Sequence, residues 1–240
     1  MRAQSAAALA GGVLLAASCA LPRPPQDDSA ATPVPSPPGS AAPAAPGDVA
    51  GFAAVERAAV RVRNVQCASG VATGSGFAVD AHTLVTNQHV VSGARTLQVD
   101  TYDGQELSVR TTGVSTVADL AVVRTREALP AHVPLAAADP DAGEAVSVVG
   151  FPLGGALTTS RGHVLGAVGD PLHAMTSPVL ALDARAAPGS SGSAVLDAAG
   201  EVVGVVYAGA TDASTSYAVP VSVLSGLLAA NSPEAVPSCG

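Results

Sequence analysis

From Ala58 onward, short apolar runs alternate with turn signals, and this pattern limits the fold more than any other feature of the chain. Apolar and polar residues alternate in Val60-Arg-Val-Arg-Asn-Val65, as in a half-buried strand, whereas Leu120-Ala-Val-Val123 is apolar throughout and predicts a central strand. The core must be aliphatic, because 48% of the residues are hydrophobic but only 2% are aromatic. Valine-rich runs separated by Gly, Asp-Gly and Pro favour strands over helices. We therefore predict an all-β fold.

The strand-like runs fall into two similar halves, with a connector at residues 130–141 between them. In the second half they lie near 145–150, 156–168, 178–182, 193–196, 201–207 and 214–219. Many short strands at regular spacing predict a sandwich or a pair of barrels. The segment Val221–Ala230 contains no Pro and, apart from Gly226, no Gly, so we predict a short closing helix there.

Residues 1–19 predict an export signal: Arg2 gives a positive start, and residues 6–17 are small and apolar. Such a run is too short for a comfortable membrane span. Its end has two interpretations. Ser18-Cys19-Ala20 fits a small-residue cleavage site of a secreted protein, whereas Leu15-Ala-Ala-Ser-Cys19 resembles a bacterial lipobox, in which Cys19 is lipidated. Alanine at Ala16 departs from the leucine that is more usual in a lipobox.

The cysteines Cys19, Cys67 and Cys239 are odd in number, which requires an explanation in an exported protein. Pairing Cys67 with Cys239 leaves Cys19 at the one position where lipidation would consume it, and this favours the lipobox. The alternative is an unpaired Cys239 in a frayed tail, with Cys67 buried as a small hydrophobic residue.

Residues 20–50 contain clustered prolines among Ala, Ser and Asp. Such a segment cannot bury enough apolar area to offset its ordering entropy, so we predict an extended, disordered linker. Residues 51–240 then form one folded domain. The net charge of −8 and the lack of a basic cluster argue against nucleic acid as a partner.

Three polar residues lie at the edges of predicted strands: His89 after one strand, Asp119 before another, and Ser191 in a glycine-flanked turn. A serine hydroxyl becomes nucleophilic when a base takes its proton, and imidazole does this near neutral pH. A carboxylate behind the imidazole fixes its tautomer. The tight turn can also direct backbone N–H groups toward a developing oxyanion. These residue types predict an acyl-transfer site.

Each of these residues, taken alone, also fits a structural role, as a core or exposed histidine or as a turn residue. Their joint occurrence with the Gly-rich turn argues against coincidence. We prefer Asp119 because it alone adjoins an apolar strand, and the alternative carboxylates are Asp80, Asp100, Asp103 and Asp183. No metal or organic cofactor is expected, because no metal-ligand spacing is evident at His82, His132, His163 and His173.

Four blocks together resemble the trypsin-like serine proteases of the bacterial HtrA/Deg type: Thr86-Asn-Gln-His89-Val-Val, Asp119-Leu-Ala-Val-Val, Gly150-Phe-Pro-Leu-Gly154 and Pro188-Gly-Ser-Ser191-Gly. Two later segments, Gly200-Glu-Val-Val-Gly-Val-Val206 and Thr215-Ser-Tyr-Ala-Val-Pro220, are similar to those that follow the nucleophile in that family. The resemblance covers about residues 58–230 and keeps the family order. The flanking Cys67 and Cys239 resemble the disulfide-tied, MarP-like periplasmic branch of the family.

This resemblance implies two six-stranded antiparallel β-barrels, a chymotrypsin-like double barrel, with the active site between them and a short C-terminal helix. It implies that His89 is the general base, Asp119 its orienting carboxylate and Ser191 the nucleophile. The backbone N–H groups of Gly189 and Ser191 would form the oxyanion hole. Ser190 and Ser193 depart from the family pattern, which usually has Asn or Asp at the first position and often Gly at the second.

By family position, Arg185 falls near the base of the substrate pocket, and Val206, Tyr207 and Ala208 form its edge. A buried Arg185 would favour an acidic side chain in the substrate. The alternative is an arginine turned toward solvent.

The sequence thus predicts an exported serine endopeptidase that is monomeric and cleaves proteins or peptides. It would be held at the cell envelope through a lipid on Cys19, or be secreted or periplasmic without an anchor. The alternative is a catalytically silent or latent protease-like domain that binds extended peptides or partner proteins.

Overall fold

The computed structural model describes residues 52–67, 70–115, 118–173, 175–209, 215–230 and 234–235. All of them belong to one structural unit, Pro43–Gly240. The predicted signal sequence with Cys19, the predicted linker at 20–50, and Cys239 lie outside the described residues. None of the described helices has both the length and the apolar character needed to cross a membrane.

Fourteen strands, three α-helices and one 3₁₀ turn are formed by the described residues. The first half contains α1 (Phe52–Ala58), β1 (Ala59–Gln66), β2 (Val71–Asp80), β3 (Thr83–Asn87), α2 (Gln88–Val91), β4 (Ala94–Thr101), β5 (Glu106–Leu107), β6 (Val109–Ser115) and β7 (Leu120–Thr125). The second half contains β8 (Ala145–Gly150), the 3₁₀ turn (Pro152–Gly154), β9 (Thr158–Val168), β10 (Val179–Leu182), β11 (Ala194–Leu196), β12 (Val202–Gly209), β13 (Ser216–Pro220), α3 (Val221–Ala230) and β14 (Glu234–Ala235).

The strands follow the apolar pattern of the sequence. In β1, Val60 and Val62 are fully buried, while Arg61 and Arg63 lie on the opposite face and are half-buried. The apolar run that begins at Leu120 forms β7, a buried strand between β3 and β6. Both strand predictions are confirmed. Fully burying a side chain of this size stabilises the fold by about 1.5–3 kcal/mol.

The first-half strands form one antiparallel sheet in the order β14-β6-β7-β3-β2-β1-β4-β5. Its first strand, β14, comes from the C-terminal end of the described chain and pairs with β6, with Glu234 opposite Val114. Strand β3 pairs with β7 so that Asn87 lies opposite Leu120. This register brings the residues just after β3 close to the residue just before β7.

The second-half strands form a closed antiparallel barrel in the order β10-β13-β12-β11-β8-β9. Its interior is a cluster of aliphatic side chains that includes Val148, Leu182 and Val203. A larger buried cluster contains residues of both sheets, among them Phe77, Val205 and Leu224 of α3. The two sheets therefore share a continuous apolar contact.

The structure confirms the predicted all-β, chymotrypsin-like class and the closing helix at Val221–Ala230. It differs in the first half, where the ladder does not close among the described residues and the sheet is a curled half-barrel. Two short strands, β5 and β14, extend its edges. The helices α1 and α2 were not expected from the apolar pattern, because each is too short to show a helical period.

Candidate active site

His89 lies in α2, the single helical turn that follows β3. Because Asn87 is paired with Leu120, the next residues along the chain meet Asp119 just before β7. The Asp119 carbonyl accepts hydrogen bonds from the Gln88 N–H at 3.1 Å and from Asn87 Nδ2 at 2.9 Å. These contacts hold α2 against the start of β7.

The carboxylate of Asp119 contacts His89 twice. Its Oδ2 lies 2.7 Å from the ring Nδ1, and its Oδ1 accepts the backbone N–H of His89 at 3.0 Å. The Asp119 side chain is 14% exposed and that of His89 is 49% exposed, so the carboxylate lies behind an imidazole that faces the cleft. Asp119 has a φ of 48°, a left-handed conformation that costs a non-glycine residue about 1–3 kcal/mol.

Ser191 lies in the turn between β10 and β11, in which Gly189 has a φ of 91° and Gly192 a φ of 88°. A Cβ on Gly192 would lie 2.0 Å from the Ser75 carbonyl oxygen, so only glycine fits there. The turn contacts both sheets, because the Ser191 carbonyl accepts the Ser75 N–H at 2.7 Å and the Gly192 N–H donates to Val206 O at 2.8 Å.

Val90, which follows His89, and the Ser191 turn both lie beside Gly74 of β2. A Cβ placed on Gly74 would lie 2.6 Å from the Val90 side chain and 3.2 Å from the Ser191 carbonyl oxygen. The structure thus brings the chain segments that carry His89, Asp119 and Ser191 together at the junction of the two sheets, although they are distant in sequence.

Two backbone N–H groups of the turn point away from the bonds that the preceding carbonyls make. The Pro188 carbonyl accepts the Leu153 N–H at 2.6 Å, and the Ser190 carbonyl accepts the Ser193 N–H at 3.0 Å. A trans peptide carries its C=O and N–H on opposite sides, so the N–H groups of Gly189 and Ser191 point the other way. Neither N–H donates to an acceptor among the described residues. They are the two N–H groups predicted to form the oxyanion hole, and that role remains a prediction.

A short segment, Phe151–Gly154, holds this turn, and we call it the brace. Leu153 has a φ of 57°, and its N–H makes the bond to Pro188. Ser75 Oγ accepts the Phe151 N–H at 2.8 Å and donates to the Gly189 carbonyl at 2.8 Å. The sequence offered only a weak signal for these residues: Gly150-Phe-Pro-Leu-Gly154 was recognisable as a family block, but no role followed from it.

Ser191 Oγ lies 3.5 Å from the carbonyl oxygen of Tyr207, at the limit of hydrogen-bond distance. Within the described part of the chain this is its one hydrogen bond, and none joins it to His89. Rotation about the Cα–Cβ bond moves the hydroxyl between staggered positions without moving the backbone. Hydrogen bonds at catalytic sites are often long without substrate and shorten when it binds.

The carboxylates considered as alternatives to Asp119 have other partners. Asp100 pairs with Arg61 at 3.0 Å, Asp80 accepts the His82 N–H at 2.8 Å, and Asp103 accepts the Thr101 hydroxyl. Asp183 contacts His163, with Oδ2 at 3.4 Å from the ring Nδ1. The backbone N–H of His163 bonds to the Asp183 carboxylate and is the main cause of a lowered pKa of Asp183.

The residues predicted to line the substrate pocket do not share one cavity. Arg185 is exposed and lines a cavity of about 370 Å³ together with Ala186, Ser190 and Ser193, and Val206, Tyr207 and Ala208 are not among its lining residues. Tyr207 is buried, and its hydroxyl donates to Asp170. Burial and the Asp170 carboxylate raise the pKa of Tyr207, so the phenol keeps its proton.

Cys67 follows β1, and its N–H donates to Gly93 O at 3.0 Å. It is disulfide-bonded. Cys239 lies outside the described residues, so the pairing of Cys67 with Cys239 remains a prediction.

Residues 74–205 match the family described as the trypsin-like peptidase domain. This match includes His89, Asp119 and Ser191 and extends over more than half of the chain. The chain therefore belongs to the trypsin-like peptidase family.

Several relatives within this family are of the HtrA type. Serine protease Rv3671c of Mycobacterium tuberculosis is 29% identical over 189 residues, which are 74% of this chain and 47% of the relative. The Do-like serine protease HtrA of Bacillus subtilis is 36% identical over 135 residues, 51% of this chain and 29% of the relative. The resemblance to HtrA/Deg-type proteases is confirmed. The chain spans less than half the length of these curated relatives.

The fold is also found in a solved structure of one of these relatives. The crystal structure of Rv3671c protease from M. tuberculosis in its active form has a TM-score of 0.68 and 27% sequence identity. The alignment covers 78% of this chain and 86% of that one. The same protease in its inactive form has a TM-score of 0.65.

Proposed function

We propose that this chain is an exported serine endopeptidase that cleaves proteins or peptides through an acyl-enzyme. The observation that carries this proposal is the combination of a bonded His89–Asp119 pair with a serine turn whose two N–H groups have no acceptor among the described residues. A binding module needs neither a base held by a buried carboxylate nor an oxyanion site, so this combination favours catalysis.

In the proposed reaction, His89 takes the proton of Ser191 while Oγ attacks the carbonyl carbon of the scissile peptide bond. The carbonyl oxygen becomes an oxyanion and accepts hydrogen bonds from the backbone N–H groups of Gly189 and Ser191. The protonated imidazole then gives its proton to the leaving amine, which departs and leaves an acyl group on Ser191. Water, with His89 again as the base, hydrolyses this ester and restores the serine.

Asp119 has a positioning role in this proposal. With the Nδ1–H donated to its carboxylate, the imidazole keeps an unprotonated Nε2 for the serine proton. The second contact, from the His89 backbone N–H, fixes the main chain of the base as well. The tautomer and the ring orientation are therefore both set before substrate arrives.

We propose that the substrate lies in an extended conformation beside the end of β12, where Ser191 approaches the Tyr207 carbonyl. A Cβ on Gly209 would lie 3.2 Å from the Ala186 carbonyl oxygen, so the space between these residues is narrow. This narrowness favours small side chains at that point of the substrate.

For the location of the protein, we propose an envelope anchor through a lipid on Cys19, with residues 20–50 as the tether and a Cys67–Cys239 disulfide in the domain. The odd cysteine number and the disulfide at Cys67 support this arrangement. Incorporation of radiolabelled palmitate into the wild type but not into Cys19→Ala tests the anchor, and equal labelling of both would exclude it.

The proposed activity is tested with a fluorophosphonate probe and with casein cleavage. Wild type should take up the probe and cleave casein, and Ser191→Ala should do neither. Ser193→Ala is the matched control, because Ser193 lies two residues along the same turn and its buried Oγ has no hydrogen-bond partner among the described residues. We expect this control to keep both labelling and cleavage. Equal casein cleavage by wild type and Ser191→Ala would overturn the proposal.

A further inference from the structure

Arg61 of β1 connects the first sheet to the brace at Phe151–Gly154. Its NH1 donates to the Gly154 carbonyl at 3.2 Å, and its guanidinium carbon lies 5.9 Å from the centre of the Phe151 ring. The other side of the guanidinium faces β4, where Nε and NH2 lie 3.2 and 3.0 Å from Asp100 Oδ2. One side chain thus contacts both ends of the brace.

Asp100 fixes the direction of this arginine. The two residues are opposite each other in the β1–β4 pairing, and their side chains are 22% and 13% exposed. A partly buried ion pair is screened less by salt than a surface pair. With two of its nitrogens on Asp100, the planar guanidinium has its third nitrogen aimed at Gly154.

The brace connects this contact to the oxyanion turn. Leu153, between the two residues that Arg61 contacts, donates its N–H to the Pro188 carbonyl at 2.6 Å. That bond sets the orientation of the Pro188–Gly189 peptide and therefore the direction of the Gly189 N–H. Leu153 holds a left-handed φ of 57°, which persists only where neighbouring contacts maintain it. Arg61 supplies two such contacts.

We infer that Arg61 is a positioning residue for the oxyanion hole. It acts through the brace and Pro188 on the Gly189 N–H, with Asp100 as its orienting partner. This inference rests on the proposed protease function, since an oxyanion hole has a role only if Ser191 attacks a carbonyl. A loss of Arg61 contacts should weaken stabilisation of the tetrahedral intermediate more than binding of the substrate.

The test compares Arg61→Ala, Arg61→Lys and Asp100→Asn with Arg63→Ala. Arg63 is the matched control: it lies two residues along β1 on the same face, is half-buried like Arg61, and its side chain has no hydrogen bond or ion pair among the described residues. The measurements are kcat and KM for a peptide ester, the inhibition constant of a peptide boronate that forms a tetrahedral adduct on Ser191, and the thermal midpoint of each variant.

We expect Arg61→Ala to lower kcat by about 10- to 100-fold, less than the loss of a whole oxyanion donor, with KM within about threefold of wild type. The boronate should bind more weakly by the same factor as kcat falls. Arg61→Lys should recover part of the loss, because an ammonium reaches one acceptor but cannot replace the planar fork. Asp100→Asn should give an intermediate loss, and Arg63→Ala should resemble wild type.

The inference is overturned if Arg61→Ala keeps wild-type kcat and boronate affinity, or if KM rises while kcat is unchanged. It is also overturned if Arg63→Ala loses as much activity as Arg61→Ala. If Arg61→Ala does not fold, the Arg61→Lys and Asp100→Asn variants decide the outcome through kcat and the boronate inhibition constant. A wild type that neither cleaves the ester nor binds the boronate would instead contradict the proposed function, so the two failures are distinguishable.

Discussion

The molecule contains two aspartate–histidine pairs that are built alike, one in the cleft and one on the second barrel. In each pair, one carboxylate oxygen accepts the backbone N–H of the histidine and the other faces the ring Nδ1. The Nδ1–Oδ2 distance is 2.7 Å for His89–Asp119 and 3.4 Å for His163–Asp183. The same local arrangement therefore occurs twice in this molecule, each time where the fold brings an aspartate next to a histidine.

The surroundings of the two pairs differ. The Asp119 carboxylate is 14% exposed, whereas that of Asp183 is 46% exposed. His163 is paired with Ala145 at the far end of β8 from Gly150, five residues along the strand. At about 3.4 Å per residue, this places it roughly 17 Å from Gly150, the residue that precedes the brace. An Asp–His contact alone is thus not a sufficient basis for assigning a catalytic site, and the proposed assignment also depends on the neighbouring serine turn.

The largest expected effect separates the two histidines. His89→Ala should lower kcat by about 10⁴- to 10⁶-fold, because it removes the base that takes the serine proton. His163→Ala should keep kcat within about twofold, since no hydrogen bond or ion pair between described residues joins His163 to the serine turn. Steady-state hydrolysis of a peptide ester measures both. A comparable loss in the two variants would remove the distinction between the pairs.

The next effect separates the two carboxylates. Asp119→Asn should lower kcat by about 10⁴-fold, because an amide at this position favours the wrong imidazole tautomer while leaving the fold in place. Asp183→Asn is the matched substitution on the barrel and should leave kcat unchanged. If Asp119→Asn retains full activity with a wild-type circular dichroism spectrum, another group must orient His89.

The third effect concerns the glycine turn around Ser191, which lies near the His89–Asp119 pair. Gly192→Ala should destabilise the fold by about 3 kcal/mol, from a left-handed alanine and from overlap with the Ser75 carbonyl. Gly143→Ala is the control, because Gly143 has a similar φ of 90° but nothing within 4 Å of its Cβ position. We expect about 1 kcal/mol there. Urea unfolding measures the free energy of unfolding of both variants. Equal decreases would show that the close approach to the Ser75 carbonyl adds no cost.

Much of this arrangement was predictable from the sequence, for reasons that lie in single residues. The apolar runs around Val60 and Leu120 predicted strands. Asp119 was preferred among the carboxylates because it adjoins an apolar strand, but Asp183 directly follows the buried strand β10, so this criterion alone did not distinguish the two. The polar residues at strand edges and the glycine turn were visible as residue types. Their catalytic roles remain predictions that the variants above test.

Other parts were not predictable, because they depend on contacts between distant backbone groups. The role of Leu153 comes from its N–H rather than its side chain, and Ser75 Oγ links Phe151 of the brace to Gly189 of the serine turn, two segments that are distant from Ser75 in sequence. Arg61 has the same residue type and face as Arg63, and only its contacts with Asp100, Phe151 and Gly154 distinguish it. For Arg185, family position suggested a shared pocket with Tyr207; Arg185 lines a cavity whose lining residues do not include Tyr207, and the pocket remains a prediction.

The smallest expected effect is a pH dependence of stability caused by Asp183 on the barrel. The pKa of Asp183 is lowered in the folded protein, mainly by the His163 backbone N–H, so its ionised form stabilises the fold. This stabilisation is fully present above the unfolded value of about 3.9 and disappears as pH falls through the lower folded value. The thermal midpoint of Asp183→Asn should therefore lie slightly below that of wild type at pH 6, and the gap should close as pH falls through the lowered pKa of Asp183. The gap should be small because the carboxylate is exposed to solvent. A gap that stays constant down to the lowest pH would show that ionisation of Asp183 is not its cause.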